Sequence, residues 1–132
     1  MREVNAAAVA GALAAGVARV YRLGEVPAGG DRKYPYAVVA ASFDQATTYT
    51  LEARHGVKVI RLTTQAFGRT VDAALDIDQR LRDAFLDERL PVAGWDCDPA
   101  VLQVGGAVVS DPDAGQVIGV TSTYLFTATK EN

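Results

Sequence analysis

From residue 5 to about 18, Val9, Leu13, Val17 and Val20 recur at steps of four, four and three, the spacing of one apolar helical stripe. Asn5 suits the N-cap, because its side chain accepts from a free backbone N–H of the first turn. The other side holds Ala8, Gly11, Ala12 and Ala15, small residues that let another backbone come close. The helical pattern gives way between Val17 and Gly24, and Arg19–Leu23 reads as a short strand. A loop punctuated by Pro27, Gly29 and Gly30 follows. Ala37–Phe43 and Val57–Thr64 read as strands, the second rich in β-branched residues, and Pro35 suits the entry to the first. Residues 44–56 form a long polar connection. Val71, Ala74, Ile77, Leu81 and Phe85 make the clearest helical stripe. Thr70 is its N-cap, Asp72 suits the positive end of its dipole, and Pro91 stops it. Asp76 with Arg80 and Asp78 with Arg82 are spaced as ion pairs on its outer face. After a loop containing Gly94, Trp95, Cys97 and Pro99, strands at 101–109 and 117–128 form a hairpin through a turn at 110–115. Gly105–Gly106 reads as a bulge.

These elements predict one α+β domain over residues 1–132: a small, mostly antiparallel sheet of four to five strands with two α-helices. Strand residues alternate between faces, yet apolar residues fall on both. Ile118, Val120, Tyr124 and Phe126 oppose Val117 and Leu125, and Ile60 and Leu62 oppose Val57 and Val59. A sheet with one wet face alternates cleanly. The poor alternation implies that a neighbouring copy covers the second face if both helices lie together. With one helix on each face no partner is needed.

Composition narrows the function. The chain has 132 residues, 49% of them hydrophobic and 22% charged, with a net charge of −3, as in an ordinary globular domain. Its Lys and Arg residues are scattered, unlike the basic face of a nucleic-acid module. Cys97 is the one cysteine, so neither an intramolecular disulfide nor a cysteine-based metal site can be completed. The alanine-rich start carries Glu3 where a signal peptide is basic and reads as a helix. No stretch approaches the ~20 apolar residues that cross a bilayer.

Chemistry-bearing patterns are weak. His55 is the sole histidine and reads as a solvated loop residue. Asp96–Asp98 and Asp111–Asp113 are the acidic pairs, but a calcium loop started at Asp111 has Gln116 where glycine is required and Ser122 where a bidentate Glu is required. No phosphate-binding glycine loop occurs. The expectation is no catalytic residue, no cofactor and no metal. For contact with other subunits the candidates are Tyr34, Tyr36 and Trp95 as aromatic anchors, Arg54 and His55 on the polar connection, and Arg61 within an apolar strand.

One order of features is specific. An Ala-rich helix runs into Arg19-Val20-Tyr21. A glycine loop leads to Tyr34-Pro35-Tyr36-Ala37-Val38-Val39. A β-branched strand precedes an amphipathic helix ending in Leu90-Pro91-Val92. The last hairpin has Asp111-Pro112-Asp113 at its tip and Val120-Thr121-Ser122-Thr123-Tyr124-Leu125-Phe126 on its return. Over nearly the whole chain this resembles the tail-terminator, or tail-completion, proteins of long-tailed bacteriophages. The resemblance implies a non-enzymatic structural subunit of a hexameric homo-oligomeric ring at the head-proximal end of the virion tail, assembled in the host cytoplasm. That ring caps the tail-tube protein, ends tube growth and joins the head–tail connector or stopper protein. DNA only passes through the channel, and no membrane is involved. The alternatives are another connector or tail subunit (stopper, tube or baseplate) and, from a different class, a small enzyme or ligand-binding domain with a polar pocket.

Overall fold

The computed structural model describes residues 2–27, 33–43, 57–111 and 117–130. In order these form α1 (Arg2–Ala14), β1 (Val20–Arg22), β2 (Tyr36–Phe43), β3 (Val57–Gly68), α2 (Val71–Phe85), β4 (Trp95–Cys97), β5 (Val101–Asp111) and β6 (Val117–Lys130). The six strands make one sheet in the order β1-β2-β3-β6-β4, with β5 also on β6. Only β1 and β2 run parallel. The α+β class, the two helices and the small, mostly antiparallel sheet are as expected, and the count reaches six strands because one edge is split into two.

The extra strand is β4, in a stretch expected to be a loop. It pairs Trp95 with Lys130 and Cys97 with Ala128. Four residues later β5 takes up the same side of β6, with Val101 opposite Leu125. β4 and β5 are thus one edge strand broken at Pro99, which has no N–H to give a ladder.

Both helices lie on one face. The even positions of β3 and β6 (Ile60, Leu62, Ala66, Val120, Tyr124, Phe126, Ala128) join Val4, Ala8 and Ala12 of α1 and Ala74, Ile77, Leu81 and Phe85 of α2 in one core. Most odd positions are half-buried, and they mix polar with apolar residues: Arg61, Thr63 and Gln65 with Val59 and Phe67 on β3, Thr121, Thr123 and Thr127 with Leu125 on β6, where Val117 is buried. The expected apolar residues on both faces are thus present in part: Tyr36, Val38 and Val117 are buried on the face away from the helices, while threonines fill its middle. Counting only Val, Leu and Ile hid the threonine face, whose β-branched side chains suit a strand but leave a hydroxyl to water.

α2 starts as predicted. Thr70 Oγ1 accepts from Ala73 N at 3.1 Å, and Asp72 sits in the first turn. It ends at Phe85, six residues before Pro91. The segment after it leaves the helix to meet the sheet: Asp87 N donates to Ala100 O at 2.8 Å and Ala100 N to Glu88 O at 3.1 Å. Asp87 adopts φ 60° there, the left-handed region that Asp tolerates better than most residues. Asp76 and Arg80 pair on the exposed side at 3.1 Å. Asp78 does not belong to the outer face, because the residue is 4% exposed and its carboxylate meets Ser122 on the sheet.

α1 differs more. It begins at Arg2, so Asn5 lies inside it and is no cap. Asn5 Oδ1 instead accepts from Ala41 N on β2 at 3.0 Å. The buried stripe is Val4, Ala8 and Ala12, whereas Leu13 of the expected apolar stripe is 49% exposed. The small residues face inward because α1 packs closely over α2. A Cβ on Gly11 would lie 3.4 Å from the Phe85 ring. The helix ends at Ala14 with Gly16 at φ 95°. Val17 N donates to Ala12 O and Gly16 N to Leu13 O, both at 3.1 Å, the paired bonds of a Schellman C-cap.

Candidate assembly surfaces

The four candidate contact residues among those described lie apart. Tyr34 and Tyr36 sit at one end of the sheet, where Tyr36 pairs with Phe67. The Tyr36 ring stacks on Phe67 with centroids 4.9 Å apart. It meets Tyr34 at 5.2 Å and Tyr21 edge-on at 5.9 Å. Arg69 lies over the Tyr34 ring at 4.6 Å, a cation–π contact. Arg19 Nη1 donates to Pro35 O at 3.3 Å, and the Tyr34–Pro35 peptide bond is cis. Tyr36 is buried within this cluster, while Tyr34 keeps part of its ring in solvent.

Arg61 lies mid-sheet on the threonine face, level with Ser42 on β2 and Leu125 on β6. Trp95 lies at the far end, level with Lys130, and is half-buried against the core. Gly119, which pairs with Phe67, and Lys130 are about 36 Å apart along an extended strand. Arg54 and His55 lie outside the described residues.

One polar cluster was not foreseen. Ser122 Oγ donates to Asp78 Oδ1 at 2.8 Å, and Arg82 Nε donates to Asp78 Oδ2 at 2.9 Å. Gly106 N donates to Ser122 Oγ at 3.3 Å, and Thr64 Oγ1 donates to Ser122 O at 3.4 Å. The Gly105–Gly106 bulge makes this possible. Gly106 has φ 72°, and a Cβ on Gly105 would come within 2.8 Å of Arg82 Nη2. The predicted bulge is therefore real, with register shifts between Leu102 and Ala107. The only sequence signal for the cluster was Asp78–Arg82 spacing, since Ser122 is 44 positions from Asp78.

The cluster has the composition of a hydrolytic site without its access. Ser122 is fully buried, and its hydroxyl is committed to a carboxylate with no imidazole between them to act as general base. The Cys97 thiol is pushed above its ordinary value by burial, then by Asp96 and Asp98, which keeps it in the un-nucleophilic thiol form. Among the described residues no group of three or more His, Cys, Asp or Glu side chains could hold a metal. No described helix is long and apolar enough to cross a membrane. The hollow against Leu62, Phe85 and Phe126 measures about 10 Å³, room for one water-sized probe.

Two larger hollows lie along the β1 edge. A groove of about 290 Å³ between α1 and β1 is lined by Ala6, Val9, Val20, Tyr21, Arg22 and Glu25. A second, of about 230 Å³, continues it past Asn5 and Leu23.

No protein-family model and no curated relative matches the chain. Among solved structures, a chain of the "Virion of native gene transfer agent (GTA) particle" superposes with a TM-score of 0.65 over 89% of this chain and 84% of that one, at 11% sequence identity. At that identity the likeness is one of fold.

Proposed function

We propose that this chain is a structural subunit of a phage-like virion and carries out no catalytic step. Its fold likeness to a chain of a gene transfer agent virion, across most of both chains, carries the reading. Two features of the molecule support it. Both helices shelter the same sheet face, leaving a broad half-exposed face for neighbours. The polar groups gathered inside serve packing and not chemistry, since Ser122 and Asp78 are closed to solvent.

Within that class the place we assign is the tail terminator: a ring of identical subunits, six by the resemblance, at the head-proximal end of the tail. It ends tube growth and meets the head–tail connector or stopper, and DNA passes through it. Head-to-tail contacts that close on themselves generate such rings. Tyr34, Tyr36, Arg61, Trp95, Arg54 and His55 are proposed contact residues, with the partly exposed Tyr34–Arg69 pair the best placed of those described, since Tyr and Arg dominate interface energetics.

Electron microscopy of tails carrying a labelled copy tests the place, together with tail lengths made in its absence. A terminator gives label at the head-proximal tip and over-long tails without it. Label along the tube or at the distal end would instead favour the second reading, a tube or baseplate subunit, which the virion neighbour supports equally.

A further inference from the structure

The sheet ends in two edges of unlike character. At one end lies β5, whose residues Val101 to Ser110 include no charge and no proline. Among the described residues no strand pairs with its outer side. A long edge lacking charged or proline guards is a template for another chain, and proteins that keep one exposed aggregate. Its register on β6 shifts twice, between Leu102 and Val104 and again between Val104 and Ala107 across Gly105–Gly106.

At the other end lies β1. Arg19 O accepts from Ala37 N at 2.9 Å, and Leu23 N donates to Val39 O at 3.0 Å. Arg19, Tyr21 and Leu23 thus turn their backbone groups toward β2, and Val20 and Arg22 turn theirs away. The Arg22 carbonyl closes a turn with Glu25 N at 3.0 Å. The Val20 N–H, the Val20 C=O and the Arg22 N–H point away from β2, and Val20 and Arg22 both line the groove whose other wall is Ala6 and Val9 on α1. An edge strand beside a helix, with an apolar floor between them, is the form of slot that receives an added strand.

We infer that the outer edge of β5 in one copy of this chain docks in the α1–β1 groove of the next copy, continuing the sheet from subunit to subunit. Strand direction agrees. β2 runs with β1, and β3, β6 and β5 each reverse in turn, so β5 and β1 run opposite ways. Subunits set side by side in one orientation meet as an antiparallel pair, which suits edge pairing. The match is also chemical, since a strand uncharged from Val101 to Ser110 enters a groove lined by Ala6, Val9, Val20 and Tyr21 beside Arg22 and Glu25. Each copy uses each edge once, as a closed ring requires.

This inference rests on the ring reading, and the test separates the two. Arg22→Pro removes an outward N–H that β2 does not use, at an edge position where proline is tolerated. Arg22→Gln loses the same charge but keeps the N–H. Ala6→Trp fills the groove from an exposed helix position. The mass of the full chain is measured by light scattering, alone and on tail tubes, with circular dichroism as the check on folding. Arg22→Pro and Ala6→Trp are expected to weaken self-association at least about tenfold, while Arg22→Gln assembles like the original. If Arg22→Pro does not fold, Ala6→Trp decides. Folded variants that assemble unchanged overturn this junction and leave the ring standing. A chain that forms no defined oligomer, alone or on tubes, overturns both.

Discussion

Ser122 occupies a point where three parts of the molecule meet: the centre of β6, the inner face of α2 and the bulge of β5. Its hydroxyl donates to Asp78 and accepts from Gly106 N. Replacing it with alanine leaves a buried carboxylate oxygen and a backbone N–H short of a partner. Ser122→Ala is expected to cost about 1–3 kcal/mol in denaturant unfolding. Tyr124, the neighbour across α2, is the opposite case. Its hydroxyl is buried without a hydrogen-bond partner, so Tyr124→Phe should change stability by less than about 1 kcal/mol. Burial, and next the Asp78 carboxylate, push this hydroxyl above its ordinary 10.0. Above that pH the unfolded chain releases a proton that the folded chain keeps. The unfolded state then binds fewer protons, and stability falls as pH rises. Urea midpoints measured from pH 9 upward should show this fall, and Tyr124→Phe should reduce it to the part that comes from Cys97, whose thiol is raised from 9.0. None of these roles was legible in the sequence. They depend on which residues the register brings together, and Asp78 by its spacing alone looked like half of a surface ion pair.

At the scale of elements, α2 was legible and α1 only in outline. The α2 stripe consists of large apolar residues against charged ones, and its cap is a threonine whose hydroxyl reaches Ala73 N. Thr70→Ala should cost about 1 kcal/mol by thermal or chemical denaturation, with Thr70→Ser losing less. In α1 the eye follows Val9 and Leu13, yet the chain buries Ala8 and Ala12. Close approach to α2 needs small side chains, and that requirement belongs to the helix pair, not to either helix. Ala12→Leu, at a position with no exposure, should therefore destabilise by about 1–3 kcal/mol through overpacking, although leucine is the more apolar residue. β4 was missed for a related reason. Three residues carry no period of their own, and Trp95–Cys97 is a strand only because the end of β6 lies beside it. The end of α2 was misplaced because Leu86 to Glu88 are drawn to Ala100, a tertiary contact that acts before Pro91 does.

For the whole molecule, the class and the order of elements were readable, and the sharing of faces was not. The sequence suggested grease on both sides of the sheet. The structure buries apolar residues beneath the helices and also Tyr36, Val38 and Val117 on the other side, where threonines fill the middle, and the sheet adds two unlike edges as further places for self-association. An uncharged edge seated in a mostly apolar groove makes a further prediction. Self-association should persist when salt rises from about 0.1 M to about 1 M, where surface ion pairs are screened over roughly 3 Å. Light-scattering mass across that series checks it, and dissociation at high salt would assign the contact to charged groups such as Arg19 and Arg22 instead.

Because α1 and α2 share one side of the sheet, the subunit is a slab with a helical back and a hydroxyl-lined front, and it cannot be flipped without changing what it shows. A file of such slabs has an intrinsic direction. Its upper and lower rims differ even though every member is the same, so a single gene product is sufficient to present one rim to one neighbour and the other rim to a different one.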